Sequence, residues 1–130
     1  MILKTSARFL ALTSLAACGS LTGSDRCNAI ERFALAITVR DATTGVPTAS
    51  NTRTIVTQHG GAIDTLVVGL STGLDAQEIN AFNVPGTYDV QIDKPGYVTW
   101  SATGIIVSVD KADPCHPATV SLRADLQRQP

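Results

Sequence analysis

The sequence predicts an all-β fold, an antiparallel β-sandwich of about seven short strands. Three observations lead there. From residue 32 onward the apolar residues recur with a period of two, the signature of strands with one face buried. Clusters of Gly, Pro, Asp, Asn and Ser interrupt that alternation every 8–12 residues or so, as they do between sandwich strands. The chain has 130 residues, 44% of them hydrophobic and 16% charged, which suits one core and excludes a wholly disordered chain.

The first strand is expected around Phe33, Leu35, Ile37 and Val39, with Thr38 and Arg40 on the other face beside Ala34 and Ala36. Asp41-Ala42-Thr43-Thr44-Gly45-Val46-Pro47 must end it, being made of turn formers. Thr52 to Thr57 is rich in β-branched residues and reads as a second strand. His59-Gly60-Gly61 breaks the chain before a third apolar stretch, Ala62 to Leu70, and Ser71-Thr72-Gly73 turns it again. Ala76 to Phe82 is open between a short strand and a single helical turn.

Thr87 to Asp93 alternates most regularly, with Tyr88, Val90 and Ile92 on one face. Lys94-Pro95-Gly96 supplies a turn, since Pro presets one turn position and Gly accepts a positive φ. Tyr97 to Ala102 is the expected return strand, with Gly104 separating it from another strand at Ile105 to Val109. After a loop from Asp110 to Pro117, Ala118, Val120, Leu122 and Ala124 alternate in a last strand. The domain is expected to span residues 27–126, with a frayed polar tail at 127–130.

The N-terminus reads as an address. Lys4 and Arg8 precede the nine residues from Phe9 to Ala17, too short for the roughly 20 apolar residues of a membrane-spanning helix. Leu15-Ala16-Ala17-Cys18 resembles a bacterial lipoprotein signal with its lipobox. The resemblance implies that residues 1–17 are removed and that Cys18 carries the lipid. With Cys18 acylated, Cys27 and Cys115 remain as a pair, and an exported protein meets an oxidising compartment. Residues 18–26 form a short Gly- and Ser-containing tether. Gly19 stands where an Asp would resemble an inner-membrane retention signal. The expected location is therefore the outer membrane of a Gram-negative host, or otherwise the exterior face of the cell membrane.

Ile37-Thr38-Val39-Arg40-Asp41 with Thr44-Gly45-Val46-Pro47, then Gly86-Thr87-Tyr88-Asp89-Val90 and Lys94-Pro95-Gly96-Tyr97, resemble the carboxypeptidase regulatory-like domain. That family implies a transthyretin-like sandwich, here over residues 32 to 125, and the role of an accessory module without catalysis. It also implies turn roles for Gly45 and Gly96 and buried rings for Tyr88 and Tyr97. Where the family usually has Asp-Gly, this chain has Asn83-Val84-Pro85-Gly86. A Cys27–Cys115 bridge would set the first and last strands side by side and parallel, as in immunoglobulin-like sandwiches.

Catalytic chemistry finds little support. His59 and His116 sit in expected loops, and with Cys115 they offer three zinc ligands at most, without the spacing of zinc motifs. His116 is expected to be solvent-exposed beside a disulfide cysteine. Asp89 and Asp93 lie about 13 Å apart along one strand face, beyond the roughly 5–10 Å of glycosidase pairs. Asp110-Lys111-Ala112-Asp113 has too few oxygen ligands for calcium, which takes about six to eight. The transthyretin-like fold also hosts a hydrolase whose family ends in Tyr-Arg-Gly-Ser, and this chain lacks that tail. A formal net charge of −1 and scattered basic residues leave no footprint for nucleic acid.

No metal or other cofactor is therefore expected. Partners are membrane lipid through Cys18 and an envelope protein, with a carbohydrate or small ligand as the alternative. Trp100 has two places open to it. A core position is the default, and an outward one would make it a sugar-stacking or partner-contact residue.

Overall fold

The computed structural model describes residues 30–61, 63–70 and 73–130. The signal segment, the tether, Cys18 and Cys27 lie outside the described residues. Among the described residues seven strands form two sheets: β1 (Leu35–Asp41), β2 (Thr52–Gln58), β3 (Ile63–Val68), β4 (Ile79–Ala81), β5 (Gly86–Asp93), β6 (Trp100–Val107) and β7 (Val120–Leu126). One sheet has the order β4-β1-β7 and the other β3-β2-β5-β6. The architecture is all-β, as the alternation predicts.

Period-two patterning sets which residues meet between the sheets. Leu35, Ile37 and Val39 of β1, with Ala124 and Leu126 of β7, face Val56, Tyr88, Val90, Ile92 and Val107 of the other sheet, all at most 2% exposed. Tyr88 is fully buried, its ring 5.1 Å from that of Phe82. Its hydroxyl donates to the Val84 carbonyl at 2.6 Å, so the buried O–H keeps a partner while the ring fills the core. Burial raises the phenol's pKa.

Strands β1 and β7 are parallel neighbours over seven residue pairs, from Leu35↔Val120 to Asp41↔Leu126. The other strand pairings are antiparallel. Gly45 and Gly96 have φ of 70° and 81°, the left-handed values their turns require.

Two expectations need correction, and one open choice is settled. Gly104 does not separate two strands. It lies inside β6 at φ 69°, where Tyr88↔Ile105 and Val90↔Ala102 leave one extra residue on β6. This is a β-bulge, and the freed Gly104 N–H donates to the Asp89 carboxylate at 2.8 Å. Ala76 to Phe82 divides between both readings, as a 3-10 turn at Leu74–Ala76 followed by the short strand β4. The tail from residue 127 is not frayed. Val98 N–H donates to the Gln127 carbonyl at 2.8 Å, and Gln129 N–H to the Gly96 carbonyl at 3.0 Å.

Candidate interaction surface

The inner faces of both sheets are spent on the core, so recognition falls to outer faces, edges and loops. In the sheet β3-β2-β5-β6 the outer face alternates polar and apolar residues. Its β3 border carries Ile63 and Val67, 67% and 73% exposed, with exposed Thr65 between them.

The two edges of that sheet differ. Strand β6 is kinked by the bulge and tied to the β7 side at both ends. Val98 bonds Gln127 at one end, and Ala118 N–H donates to the Ser108 carbonyl at 2.8 Å at the other. Strand β3 pairs regularly with β2 from Thr57↔Ile63 to Thr52↔Val68, with no bulge. It contains no Pro or Lys, and its one charged residue, Asp64, lies on the inner face opposite Val56. His59 N–H donates to Thr87 of the β5 side, and donor direction alternates along a strand. The odd-numbered residues of β2 therefore address β5 and the even-numbered ones address β3. By the same alternation Ile63, Thr65 and Val67 turn their N–H and C=O groups away from β2, toward an edge that no strand among the described residues pairs.

At one end of the same sheet lies an open groove of about 450 Å³, lined by residues including Asn51, Arg53, Lys94, Tyr97, Thr99 and Gln129. Its wall is held by Asp41, the last residue of β1 and 2% exposed. One oxygen of Asp41 accepts the N–H groups of Thr43 and Thr44, each at 2.9 Å. The other accepts the Tyr97 hydroxyl at 2.9 Å and Arg128 Nε at 2.7 Å. The Thr44 N–H first, then the Arg128 guanidinium and Tyr97 hydroxyl, hold this carboxyl far below the usual range. Lys94 Nζ and the Arg128 guanidinium lie 5.9 and 5.8 Å from the Tyr97 ring centroid. The Tyr97 ring, expected to be buried, is half-buried, and its hydroxyl donates to the Asp41 carboxylate.

The titratable candidates form separate pairs. His59 Nε2 lies 2.9 Å from Asp89 Oδ2, on the exposed side of the sheet. The Gly104 N–H, then His59, lower the Asp89 pKa. His116 is not solvent-exposed, its side chain being only 11% accessible. Its Nδ1 meets Asp113 Oδ2 at 2.8 Å, and this bond is the chief cause of a lowered Asp113 pKa. Arg32 Nη1 donates to Asp110 at 2.8 Å and Nη2 lies 3.8 Å from Asp113. The carboxylates of the 110–113 loop thus serve to hold it against the segment before β1. Among the described residues no three His, Cys, Asp or Glu side chains are grouped to hold a metal.

Cys115 is disulfide-bonded, in the loop before β7. Cys27, its expected partner, is outside the described residues, as is Cys18. Trp100 opens β6 opposite buried Ile92 and packs half-buried against the core. It does not occupy the outward place that a stacking platform needs. Among the described residues no helix is long and apolar enough to cross a membrane.

Sequence reasoning missed Asp41 and Arg128 as a pair and the open edge of β3. Asp41 had a signal in its own turn, where Thr43 and Thr44 follow at the spacing of a side chain that caps backbone N–H groups. No protein-family model matches the chain, and no curated protein matches it significantly.

Proposed function

We propose that this chain is a lipid-anchored cell-envelope module without catalytic activity, with a protein-interaction or scaffolding role exercised through the free edge of β3. The observation that carries the reading is that regular, bulge-free edge, with outward-turned backbone groups beside exposed Ile63 and Val67. Adding a strand to such an edge gives affinity through main-chain hydrogen bonds and specificity through alternate side chains. Anchoring rests on Lys4, Arg8, the apolar run and Leu15-Ala16-Ala17-Cys18. Several acyl chains hold firmly where one is marginal. Placement follows from Gly19: the outer membrane in a Gram-negative host, the exterior of the cell membrane otherwise. The two-sheet arrangement and the parallel β1–β7 pair are compatible with a carboxypeptidase regulatory-like, transthyretin-like sandwich braced by Cys27–Cys115.

Intact mass of the protein from host membranes, with and without reductant, tests the anchor. Cleavage before Cys18, added acyl mass and two hydrogens gained on reduction are expected, and an unlipidated soluble species would refute it. Cross-linked assemblies in the same membranes test the interaction role, and must disappear when Thr65→Lys places a charge on the edge.

A second reading has one observation in its favour. The groove beside Tyr97 falls within the roughly 300–1,000 Å³ of small-ligand sites. A carbohydrate or other small ligand held there would be lost on Lys94→Ala and retained on Thr65→Lys.

A further inference from the structure

We infer that the occupant of the β3 edge is the same edge of a second copy of this chain, the two strands pairing antiparallel with Thr65 on the two-fold axis. This rests on the reading of β3 as the interaction edge and adds the identity of its partner.

Three features of β3 make it complementary to itself. The first is hydrogen-bond direction. Ile63, Thr65 and Val67 turn their backbone groups outward, so Ile63 can pair with the second copy's Val67 and Thr65 with its own counterpart. All three matched pairs are then of the type that exchanges two hydrogen bonds, giving about six across the axis.

The second feature is side-chain direction. Directly opposed residues in an antiparallel pair share a face, and Ile63, Thr65 and Val67 all lie on the outer one. The match places exposed Ile63 against exposed Val67 twice, with a Thr–Thr contact between them. On the opposite face Asp64 meets Leu66. A register displaced by two residues loses one of the three outward pairs. Displacement in one sense also sets Asp64 against Asp64, a like-charge contact that costs stability.

Third, the ends leave room. β3 ends at Val68, and the second copy's hairpin at Gly60 and Gly61, with φ of 111° and 125°, lies beyond the paired strand. Both glycines are exposed and carry no side chain to crowd the approaching chain. The competing edge of the sheet, β6, is bulged at Gly104 and tied to the β7 side at both ends.

An edge this short falls below the roughly 1,200 Å² that marks a stable dimer in solution. Pairing is therefore weak between dilute chains and strong between chains confined to one surface, where effective concentration is high.

The symmetry gives a sharp test on the full-length chain in host membranes. Thr65→Cys places two thiols opposite each other, with Cβ atoms about 5.5 Å apart. Ile63→Cys places its two copies about 14 Å apart, four residues out of step. A thiol cross-linker spanning one strand spacing should therefore dimerise Thr65→Cys at least tenfold more than Ile63→Cys. Co-expressing Ile63→Cys with Val67→Cys should restore the dimer. Adding Val67→Lys to the Thr65→Cys chain should reduce its cross-linking about tenfold. Equal cross-linking of Thr65→Cys and Ile63→Cys, or none from any chain, overturns the inference. If no homodimer forms yet Thr65→Lys abolishes a larger membrane assembly, the partner is another protein and only the self-pairing falls. If neither assembly nor cross-linking responds to charge on β3, the reading of the edge falls as well.

Discussion

Thr54 occupies the middle of β2, opposite Leu66 on β3 and Ile92 on β5, and is wholly buried. Among the described residues its hydroxyl is the one buried side-chain group without a hydrogen-bond partner. Two residues earlier, buried Thr52 donates to the Ala49 carbonyl at 2.6 Å. The same substitution at the two sites must therefore act with opposite sign. Thr54→Val keeps the branched shape that suits a strand and replaces a desolvated, unpaired O–H with a methyl group. An unsatisfied buried polar group costs about 1–3 kcal/mol, so a gain of about 1–2 kcal/mol is expected. Thr52→Val removes a made hydrogen bond and strands a carbonyl, for a loss of about 1 kcal/mol or more. In a domain of this size each kcal/mol moves the melting temperature by about 4–8 °C. Urea unfolding of both variants should give midpoints on opposite sides of the wild type at unchanged slope. A neutral or destabilised Thr54→Val would refute the reasoning, because the hydroxyl would then have a partner.

Other consequences concern pH, backbone and redox state. Asp41 has a folded-state pKa depressed well below its unfolded value, so its contribution is complete above about pH 4 and fades as pH falls further. Asp41→Asn should lower the neutral-pH urea midpoint and flatten the acid limb. Asp75, Asp89 and Asp113, also lowered, should leave a residual slope. Gly104→Ala meets no steric obstacle but places a side chain at φ 69°, and should cost about 1–2 kcal/mol in the same titration. Reductant, acting on the disulfide that holds Cys115, should cost about 2–5 kcal/mol, and an unchanged melting temperature would show that the bond braces nothing.

What could be read from the residues was what local chemistry determines. Tyr88, Val90 and Ile92 alternate because one face of β5 is buried, and the Lys94-Pro95-Gly96 turn follows from backbone preferences alone. Gly104 misled because a glycine in a strand marks either a break or a bulge, and the choice depends on Asp89 across the ladder. The tail misled in the same way. Gln127 to Gln129 are polar and locally featureless, and their order comes from Gly96, Val98 and Asp41, remote in sequence. The open edge of β3 could not be seen at all, because edges are a property of strand order. Strand order was decided by the pairing of β2 with β5 across an intervening sheet crossing.

The parallel pairing of β1 with β7 has a mechanical consequence. The chain reaches β1 at one end of the sandwich and leaves β7 at the other. Tension between the segment before β1 and the segment after β7 therefore drags the two strands past each other lengthwise. The load falls on the whole ladder from Leu35↔Val120 to Asp41↔Leu126 at once, where an antiparallel hairpin would open one rung at a time. A Cys27–Cys115 bridge would reroute that load. Force arriving at Cys27 would cross to Cys115 and run out along β7, so the residues between the two cysteines would bear almost none of it. Such a chain would behave as a short tether when oxidised and as a shear-loaded clamp when reduced.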